Sequence, residues 1–420
     1  MIPGLLLVAS LIAAQEVAPP AQAPEAKSKK GLQVQMVDDA IALGIAHATL
    51  NVQLGHVLRP VTEAAPLRPE SGEVLVAPGR AVSAGALASL DAQIRPLAAA
   101  DVELTFILLG RATGDPEIDA LLLDPRYDPS APNRLGAFRV LDGEGRAFLG
   151  AIVGALATRY GPESDVGHVR GWIVGNEVNS HWWWYNLGRA SLDEVVRAYE
   201  PAVRLVHDVV STTDPTARVY VSLEHHWNAR FAAGGADQSC GGSPLLSAFA
   251  ERARVGGDFP WHVAFHPYPE DLFDCRFWED TTAPHDPDAP RVTFRNLDVL
   301  TGWLARDGVL WKGQPRRVIL SEQGFHCRDD ATGPRDQAAA FALAWRNVAA
   351  LDGIDAFIYH RHVDHAHEGG LRFGLWTREP DSVATAATRR PIWELLRVCD
   401  TPDGDAALDA ALEAAGIFAD

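Results

Sequence analysis

Seven short runs of β-branched and other apolar residues alternate with helical segments along this chain, and this alternation limits the folds open to it. Each run ends in polar residues or a turn, which is the pattern of a buried strand. The predicted strands are 46–52, 102–109, 171–177, 218–223, 261–265, 317–320 and 354–359. The predicted helices are 37–43, 82–99, 145–160, 192–210, 245–253, 294–305, 335–350 and 391–398.

Strands that alternate with helices form a parallel sheet, and this number of repeats favours a closed (β/α)8 TIM barrel in a single α/β domain. The eighth strand, which is first in chain order, is predicted at 31–35, although that segment is short and polar. An open doubly wound sheet is the alternative. Such a sheet usually carries a Gly-rich phosphate loop after its first strand, and the sequence has none there.

The barrel domain is predicted to span 31–400, with a C-terminal tail at 401–420 that forms a surface helix or a loose end. At the N-terminus, the apolar run 5–14 is too short to span a bilayer and is typical of an export signal. We therefore expect a signal peptide at 1–14, a Pro/Ala-rich spacer at 15–30 and a secreted or periplasmic protein that is not embedded in the membrane in its mature form. No positive charge precedes the apolar run, so a mis-assigned start codon or a frayed apolar tail is the alternative.

The net charge limits the classes of binding partner, and the cysteine content bears on disulfide bridges. The 420 residues include 37 basic and 55 acidic side chains, for a net charge of −18. This balance excludes nucleic acid, whose phosphates require a basic surface, and leaves a neutral or cationic ligand open. In an exported chain, one or two disulfide bridges are expected among the four cysteines, Cys240, Cys275, Cys327 and Cys399. The sequence indicates no oligomeric state.

Two glutamates stand at the ends of predicted strands. Glu177 closes the run Gly171–Glu177, and Glu322 follows 317–320. If 31–35 is counted as the first strand, these are the fourth and seventh. Active sites of (β/α)8 barrels lie at the C-terminal ends of the strands, and paired carboxylates are what cleavage of a glycosidic bond requires. The structural alternative is a pair of rim carboxylates bound to Arg or Lys.

Asn176-Glu177 and Ser321-Glu322-Gln-Gly resemble, in order and in strand position, the two catalytic motifs of clan A retaining glycoside hydrolases. The chain also resembles an uncharacterised bacterial glycoside-hydrolase-like domain family. The resemblance covers roughly 31–398 and implies a retaining O-glycosyl hydrolase that acts on β-linked poly- or oligosaccharides without a cofactor. It assigns Glu177 as acid/base and Glu322 as nucleophile.

The same resemblance implies that Asn176 binds a sugar 2-hydroxyl and that Tyr268, in His266-Pro-Tyr268, supports the nucleophile. Aromatic rings stack on sugars, so the loop that begins at Trp182 is a candidate platform. The full set of predicted substrate-binding residues is Asn176, Tyr268, His266, Trp182, Trp183, Glu224, His226, Trp227, His360, Trp376 and Asn51. The structural alternatives are a turn for Asn176 and for His266-Pro-Tyr268, packing of the loop for the rings after Glu177, and capping of the loop for His360.

The segment from Tyr359 to Glu368 contains four histidines together with Asp364 and Glu368. These side chains make a metal-dependent hydrolase the second enzyme hypothesis, with ligands from the His360–His367 loop. Against it, the residues crowd into one loop, so no metal site is predicted. A non-catalytic glycan-binding barrel is the third hypothesis, from a different functional class.

Overall fold

A computed structural model describes residues 26–417 of the chain. Eight parallel strands form its centre, and each is hydrogen-bonded to the next along the chain. The last strand pairs with the first, so the sheet closes into a barrel. The strands are β1 Lys30–Gln33, β2 His47–Gln53, β3 Glu103–Arg111, β4 Val169–Val174, β5 Arg218–Glu224, β6 Trp261–His266, β7 Val318–Leu320 and β8 Ile354–Tyr359.

Helices follow the strands, and most of them form the outer layer. They are α1 Val37–Ala42, α2 Ala84–Ala99, α3 Pro116–Leu122, α4 Gly143–Arg159, α5 His181–Trp184, α6 Leu192–Thr213, α7 Gly242–Val255, α8 Leu297–Leu304, α9 Gly333–Ala349, α10 Pro391–Val398 and α11 Gly404–Ala414. The longest, α6, begins with a capping box in which Ser191 and Glu194 satisfy each other's backbone N–H groups. This reciprocal cap fixes where the helix starts.

Short strands outside the barrel shape its loops. Leu58–Pro60, Leu75–Ala77 and Arg80–Val82 form a small antiparallel sheet in the connection after β2. Leu135–Gly136 pairs with the end of β3, and Trp376–Arg378 pairs with Ala386–Arg389 in a hairpin after β8. The last two excursions contribute to the mouth of the barrel, where the strands end.

The apolar core has two layers, one between strands and helices and one inside the barrel. The inner layer includes Ile173 of β4, Tyr220 of β5, Ala264 of β6 and Ile358 of β8. Successive side chains of a strand point to opposite faces, so inward residues recur every second position. Two residues beyond Ala264 comes His266, and two beyond Ile358 comes His360, so this register carries polar groups to the mouth.

The predicted closed barrel is confirmed, and the open doubly wound sheet is wrong because β8 pairs with β1. The weak first strand is present and begins at Lys30, so the last residue assigned to the spacer belongs to the barrel. In the tail, the helix alternative is right: α11 packs on the barrel side through buried Leu408 and Leu412. The signal peptide predicted at 1–14 lies outside the described residues. None of the helices between residues 26 and 417 is long and apolar enough to cross a membrane.

The expectation of disulfide bridges is wrong, because all four cysteines are free thiols. Cys275, Cys327 and Cys399 are buried, and Cys240 is half-buried. Burial raises the pKa of Cys240 and of Cys275 to about 12, so these thiols stay protonated. They behave as small core residues, which is the usual role of a buried free cysteine.

Candidate active site

The two glutamates meet at the C-terminal mouth of the barrel. Glu177 follows β4 by three residues and Glu322 follows β7 by two. One carboxylate oxygen from each and a ring nitrogen of His266 all lie within 4.8 Å of one another. Although 145 residues separate the glutamates in sequence (322 − 177), the closed barrel brings them into one cluster.

Glu177 has a strained backbone. Its φ of 42° and ψ of 52° lie in the left-handed region, which is uncommon for a residue with a side chain. The backbone N–H of Glu177 donates to Ser222 Oγ at 3.0 Å, which helps hold the turn. Residues in such conformations cluster at functional sites because surrounding contacts must fix them. The sequence analysis missed Ser222, although its inward register between Tyr220 and Glu224 was a usable signal.

His266 connects the two sides of the cluster. Its Nδ1 lies 2.8 Å from Glu177 Oε1, and its Nε2 lies 3.1 Å from Ser321 Oγ, the residue before Glu322. Burial raises the pKa of Glu177; the hydrogen bond with His266 opposes that rise, and the negative charge of Glu322 adds to it. Burial lowers the pKa of His266, but the bond to Glu177 and the charge of Glu322 outweigh this effect and raise it overall. The pair therefore retains protons to a higher pH than either side chain alone in water.

Glu322 has a hydroxyl partner. Tyr268 Oη donates to Glu322 Oε1 at 3.2 Å, as the sequence analysis anticipated for this pair. Burial, together with the negative charge of Glu322, raises the pKa of Tyr268 well above its ordinary value. The phenol thus stays protonated and remains a donor to the carboxylate. Phe373 packs against the Tyr268 ring, with centroids 5.6 Å apart, and limits its movement.

A cleft of about 490 Å³ opens beside Glu322. Of the predicted substrate-binding residues, Asn51, Asn176 and His360 line it. The aromatic surface comes from Trp184, which the sequence analysis did not select and which packs against the inner barrel layer. The remaining lining is Gln33, Val34, Gln35, Thr49, Leu50, Gln93, Leu109, Leu135, Arg361, His362, His365, Glu368 and Ala384. The described lining includes nothing from the loops after β5 and β6.

Other tryptophans that the sequence analysis assigned to the substrate site lie away from this cleft, so their assignment is corrected. Trp227 is fully buried and packs against Phe265 and Trp303, so it is a core residue. Trp376 donates its ring N–H to Asp39 at 2.9 Å, outside the cleft lining. The proximity of the tryptophan loop to Glu177 in sequence suggested this loop but could not tell which ring turns inward, and only Trp184 lines the cleft.

Trp182 and Trp183 are half-buried on the rim of the same loop. The Trp182 ring lies beneath the guanidinium of Arg189, 5.5 Å from its centroid. The Trp183 ring meets Phe231 edge to face at 4.7 Å. The first contact lies within the loop after β4, and the second packs this loop against the loop after β5, which is the structural alternative raised for these rings.

Glu224 anchors the Glu177 loop instead of lining the cleft. Its carboxylate accepts hydrogen bonds from Asn179 at 2.6 Å, from Ser180 at 2.9 Å, and from the backbone and ring of His226 at 2.9 and 2.7 Å. Burial acts to raise the pKa of Glu224, but the His226 bonds and the neighbouring imidazoles lower it to about 2. The substrate-binding role predicted for Glu224 and His226 is therefore corrected to support of the loop after β4.

The histidine-rich loop does not assemble a metal site. His362 Nε2 lies 2.9 Å from Asp39, and its Nδ1 accepts backbone N–H groups. Asp364 is bound by Arg390, and His360 is bound by Gln33. Within residues 26–417, neither of the two groups of three potential ligands includes a member of this loop. His362 and Asp364 thus have partners outside the loop, whereas His360 and Arg361 both contact Glu368.

The two groups with metal-ligand spacing are Glu224–His225–His226 and Glu177–His266–Glu322. In the first, the carboxylate already accepts four hydrogen bonds, about its full capacity. In the second, both ring nitrogens of His266 face protein partners. A cation would have to displace these bonds, so the donor sets fit proton chemistry better than metal ligation.

Solved structures with a similar fold include several glycoside hydrolases. A family 39 glycoside hydrolase from Bacteroides cellulosilyticus WH2 superposes with a TM-score of 0.54 at 14% identity, covering 89% of this chain and 63% of that one. A glucosidase from Croceicoccus marinus gives 0.53 at 12% identity, with 90% and 69% coverage. A hyperthermophilic beta-glucosidase from Pyrococcus furiosus gives 0.52 at 13%, with 90% and 85% coverage. At these identities the likeness concerns the (β/α)8 fold, and the chain spans under two thirds of the family 39 enzyme.

The chain itself belongs to the Family of unknown function (DUF5722), whose model matches residues 22–419. No curated protein matches its sequence.

Proposed function

We propose that this protein is a retaining glycoside hydrolase in which Glu322 is the nucleophile and Glu177 is the acid/base. One observation carries the proposal: carboxylate oxygens of Glu177 and Glu322 lie within 4.8 Å of each other at the barrel mouth. Retaining enzymes hold their two carboxyl groups about 5–5.5 Å apart, whereas inverting enzymes leave roughly 6.5–9.5 Å for a water molecule. The close approach favours retention.

The surroundings of the two carboxyl groups suit different roles. Burial raises the pKa of Glu177, so it is the better proton donor, whereas Glu322 lines the cleft and accepts a bond from Tyr268. Two carboxyl groups whose environments separate their pKa values are the usual arrangement for acid and nucleophile in one site.

In the first step, Glu322 attacks the anomeric carbon and forms an ester bond to the sugar. The glycosidic bond breaks, and the departing oxygen takes the proton of Glu177. Tyr268 orients the attacking carboxylate, and His266 orients the carboxyl of Glu177 through its 2.8 Å contact. The leaving group departs as a neutral alcohol.

In the second step, Glu177 removes a proton from water, and the resulting hydroxide equivalent attacks the anomeric carbon. The ester bond to Glu322 breaks, and the sugar is released with its original anomeric configuration. Esterification removes the negative charge of Glu322, which in the free enzyme raises the pKa of Glu177. The pKa of Glu177 therefore falls in the glycosyl-enzyme. Glu177 then ionises more readily and can act as the base.

A mechanism-based label tests this proposal. The enzyme is incubated with a panel of activated 2-deoxy-2-fluoro-β-glycosides, digested and analysed by mass spectrometry. We expect one glycosyl group per chain on the peptide that contains Glu322, and no label in Glu322→Gln. For a turned-over aryl glycoside, NMR of the first-formed product should show the β anomer. Labelling elsewhere or an α product would contradict the assignment, and binding without turnover across the panel would favour a glycan-binding barrel.

A further inference from the structure

The polar loop after β8 forms one wall of the cleft, and the two-step scheme leaves this wall without a role. Its cleft-lining members are His360, Arg361, His362, His365 and Glu368. They are the same residues whose spacing suggested a metal site. Because they do not converge on one point, their presence in the cleft needs another explanation.

Glu368 is the central member of this wall. Its Oε2 forms an ion pair with Arg361 Nη2 at 2.7 Å, and its Oε1 lies 3.6 Å from His360 Nε2. Burial acts to raise the pKa of Glu368, but His360 and Arg361 lower it below its ordinary value. The side chain is therefore an ionised carboxylate held in place beside the cleft. A carboxylate has about four acceptor sites, so these two contacts leave about half of them for a ligand.

Hydrogen bonds continue this wall across the cleft floor to β1 and β2. His360 Nδ1 bonds to Gln33 Oε1, and Gln33 Nε2 donates to Asn51 Oδ1 at 3.5 Å. All three side chains line the cleft with Glu368. This row of hydrogen-bonded side chains thus presents fixed acceptors and donors in alternation. A sugar hydroxyl is both a donor and an acceptor, so such a surface matches a row of hydroxyl groups.

The charges of the residues that line the cleft limit which class of sugar it can bind. Among the described lining residues, Arg361 is the only Lys or Arg, and it is already bound to Glu368. His362 accepts backbone N–H groups at Nδ1, and its Nε2 lies 2.9 Å from Asp39, so both ring nitrogens already have protein partners. A substrate carboxylate in this cleft would meet two protein carboxylates, Glu322 and Glu368, without an unpaired arginine or lysine. Burying a charge without a partner is costly.

The position of the cleft identifies which part of the substrate it holds. Glu322, which attacks the anomeric carbon, lines the cleft, whereas Glu177, which protonates the leaving oxygen, is buried beside it. The sugar that becomes attached to Glu322 is the glycone, the unit on the non-leaving side of the bond. The cleft therefore accommodates the glycone.

We propose that Glu368, held by Arg361 and His360, is the specificity residue that binds hydroxyl groups of a neutral glycone and rejects a glycone carrying a carboxylate. This inference rests on the proposed hydrolase function for its direction, since the glycone side is defined by Glu322. It extends that function by naming the substrate class, a neutral hydroxylated sugar as opposed to a uronic acid.

The test compares kcat/KM for paired 4-nitrophenyl glycosides and uronides, such as glucoside with glucuronide and galactoside with galacturonide. The wild-type enzyme should prefer the neutral member. Glu368→Gln keeps the shape, removes the charge and frees Arg361. It should lower kcat/KM for the neutral glycoside by about tenfold or more and shift the neutral-to-uronide ratio toward the uronide by a similar factor. The control Glu379→Gln removes an exposed carboxylate outside the cleft and should leave both values unchanged.

Deoxy analogues separate recognition from mere stability. If Glu368 binds a sugar hydroxyl, the wild type should discriminate strongly against the analogue lacking that hydroxyl, and Glu368→Gln should lose most of this discrimination. A wild-type preference for the uronide, or unchanged deoxy discrimination in a folded Glu368→Gln, would overturn the inference. Such a result would leave the hydrolase function intact, because Glu322 labelling would still occur.

Calorimetry with free monosaccharides covers the case in which no glycoside is turned over. Absence of both turnover and labelling would count against the hydrolase function alone. The wall would still be tested, because neutral sugars should bind more tightly than uronic acids and Glu368→Gln should weaken that binding. Equal or reversed affinities would reject the inference on its own terms.

Discussion

Replacing Tyr268 with Phe tests the proposed nucleophile through one hydrogen bond. The change removes only the hydroxyl that donates to Glu322 Oε1 at 3.2 Å and keeps the buried ring that packs on Phe373. A hydrogen bond to a charged group is worth about 1.5–3 kcal/mol. At 3.2 Å this bond is longer than a typical hydroxyl–carboxylate contact, so the lower end of the range applies.

A loss of about 1.5 kcal/mol corresponds to about a tenfold fall in rate. We expect Tyr268→Phe to lower kcat/KM by about this factor on an aryl glycoside that the wild type hydrolyses. Both steps should slow, because the hydroxyl orients Glu322 when it attacks and stabilises it when it leaves. Steady-state kinetics with good and poor leaving groups measure the two steps separately.

Tyr160→Phe is the matched control. Its hydroxyl also donates to a carboxylate, Asp91 Oδ1, at 2.9 Å, but on the outer helical layer. This variant should lose stability, measured by urea unfolding, while kcat/KM stays within about twofold, since the lost bond does not touch the reacting groups. If a folded Tyr268→Phe variant keeps wild-type kcat/KM, Glu322 does not depend on this hydroxyl and the reasoning is refuted.

Three further predictions concern Glu177, His266 and Glu224. Glu177→Ala should slow the hydrolysis of substrates with poor leaving groups far more than that of dinitrophenyl glycosides. Added azide should restore turnover and give a β-glycosyl azide product that NMR detects. An equal loss of activity on all substrates would argue against the acid/base role. The hydrogen bond with His266 lowers the pKa of Glu177, so His266→Ala should raise that pKa and move the basic limb of the kcat/KM profile to higher pH; a shift to lower pH would contradict the assigned sign. Glu224 has a folded pKa of about 2, below its value of about 4.3 in an unfolded chain, so its ionised form contributes stability that is present above about pH 4.3 and lost as the pH falls toward 2. The stability gap between wild type and Glu224→Gln in urea unfolding should therefore narrow over that range, and a constant gap would refute this account.

The periodicity of apolar residues predicts the strands and helices because it is a local property of the sequence. The predicted strand 354–359 coincides with β8, and Pro391–Val398 coincides with α10. Alternation of inward and outward residues needs only the neighbouring positions of the same strand. Strand order then follows from the chain, so the meeting of Glu177 and Glu322 at one rim was accessible before any coordinates.

The directions of the loop side chains could not be predicted from the sequence. Of the three adjacent tryptophans, Trp184 enters the cleft while Trp182 and Trp183 pack on Arg189 and Phe231. Their direction depends on rings and cations contributed by other loops, which the local sequence does not specify. The same holds for Trp227, whose position after β5 indicated the rim although its ring fills the core.

What the sequence determined by itself is the barrel and the two carboxylates at its mouth, because strand periodicity and strand order are encoded along the chain. Only the tertiary structure decided what surrounds those carboxylates. It bound His266 between Glu177 and Ser321, made Glu224 a loop anchor, and turned the histidine-rich segment from a metal hypothesis into a wall of the cleft. These assignments depend on hydrogen bonds between residues far apart in sequence, and such bonds form only when the closed barrel brings their strands together.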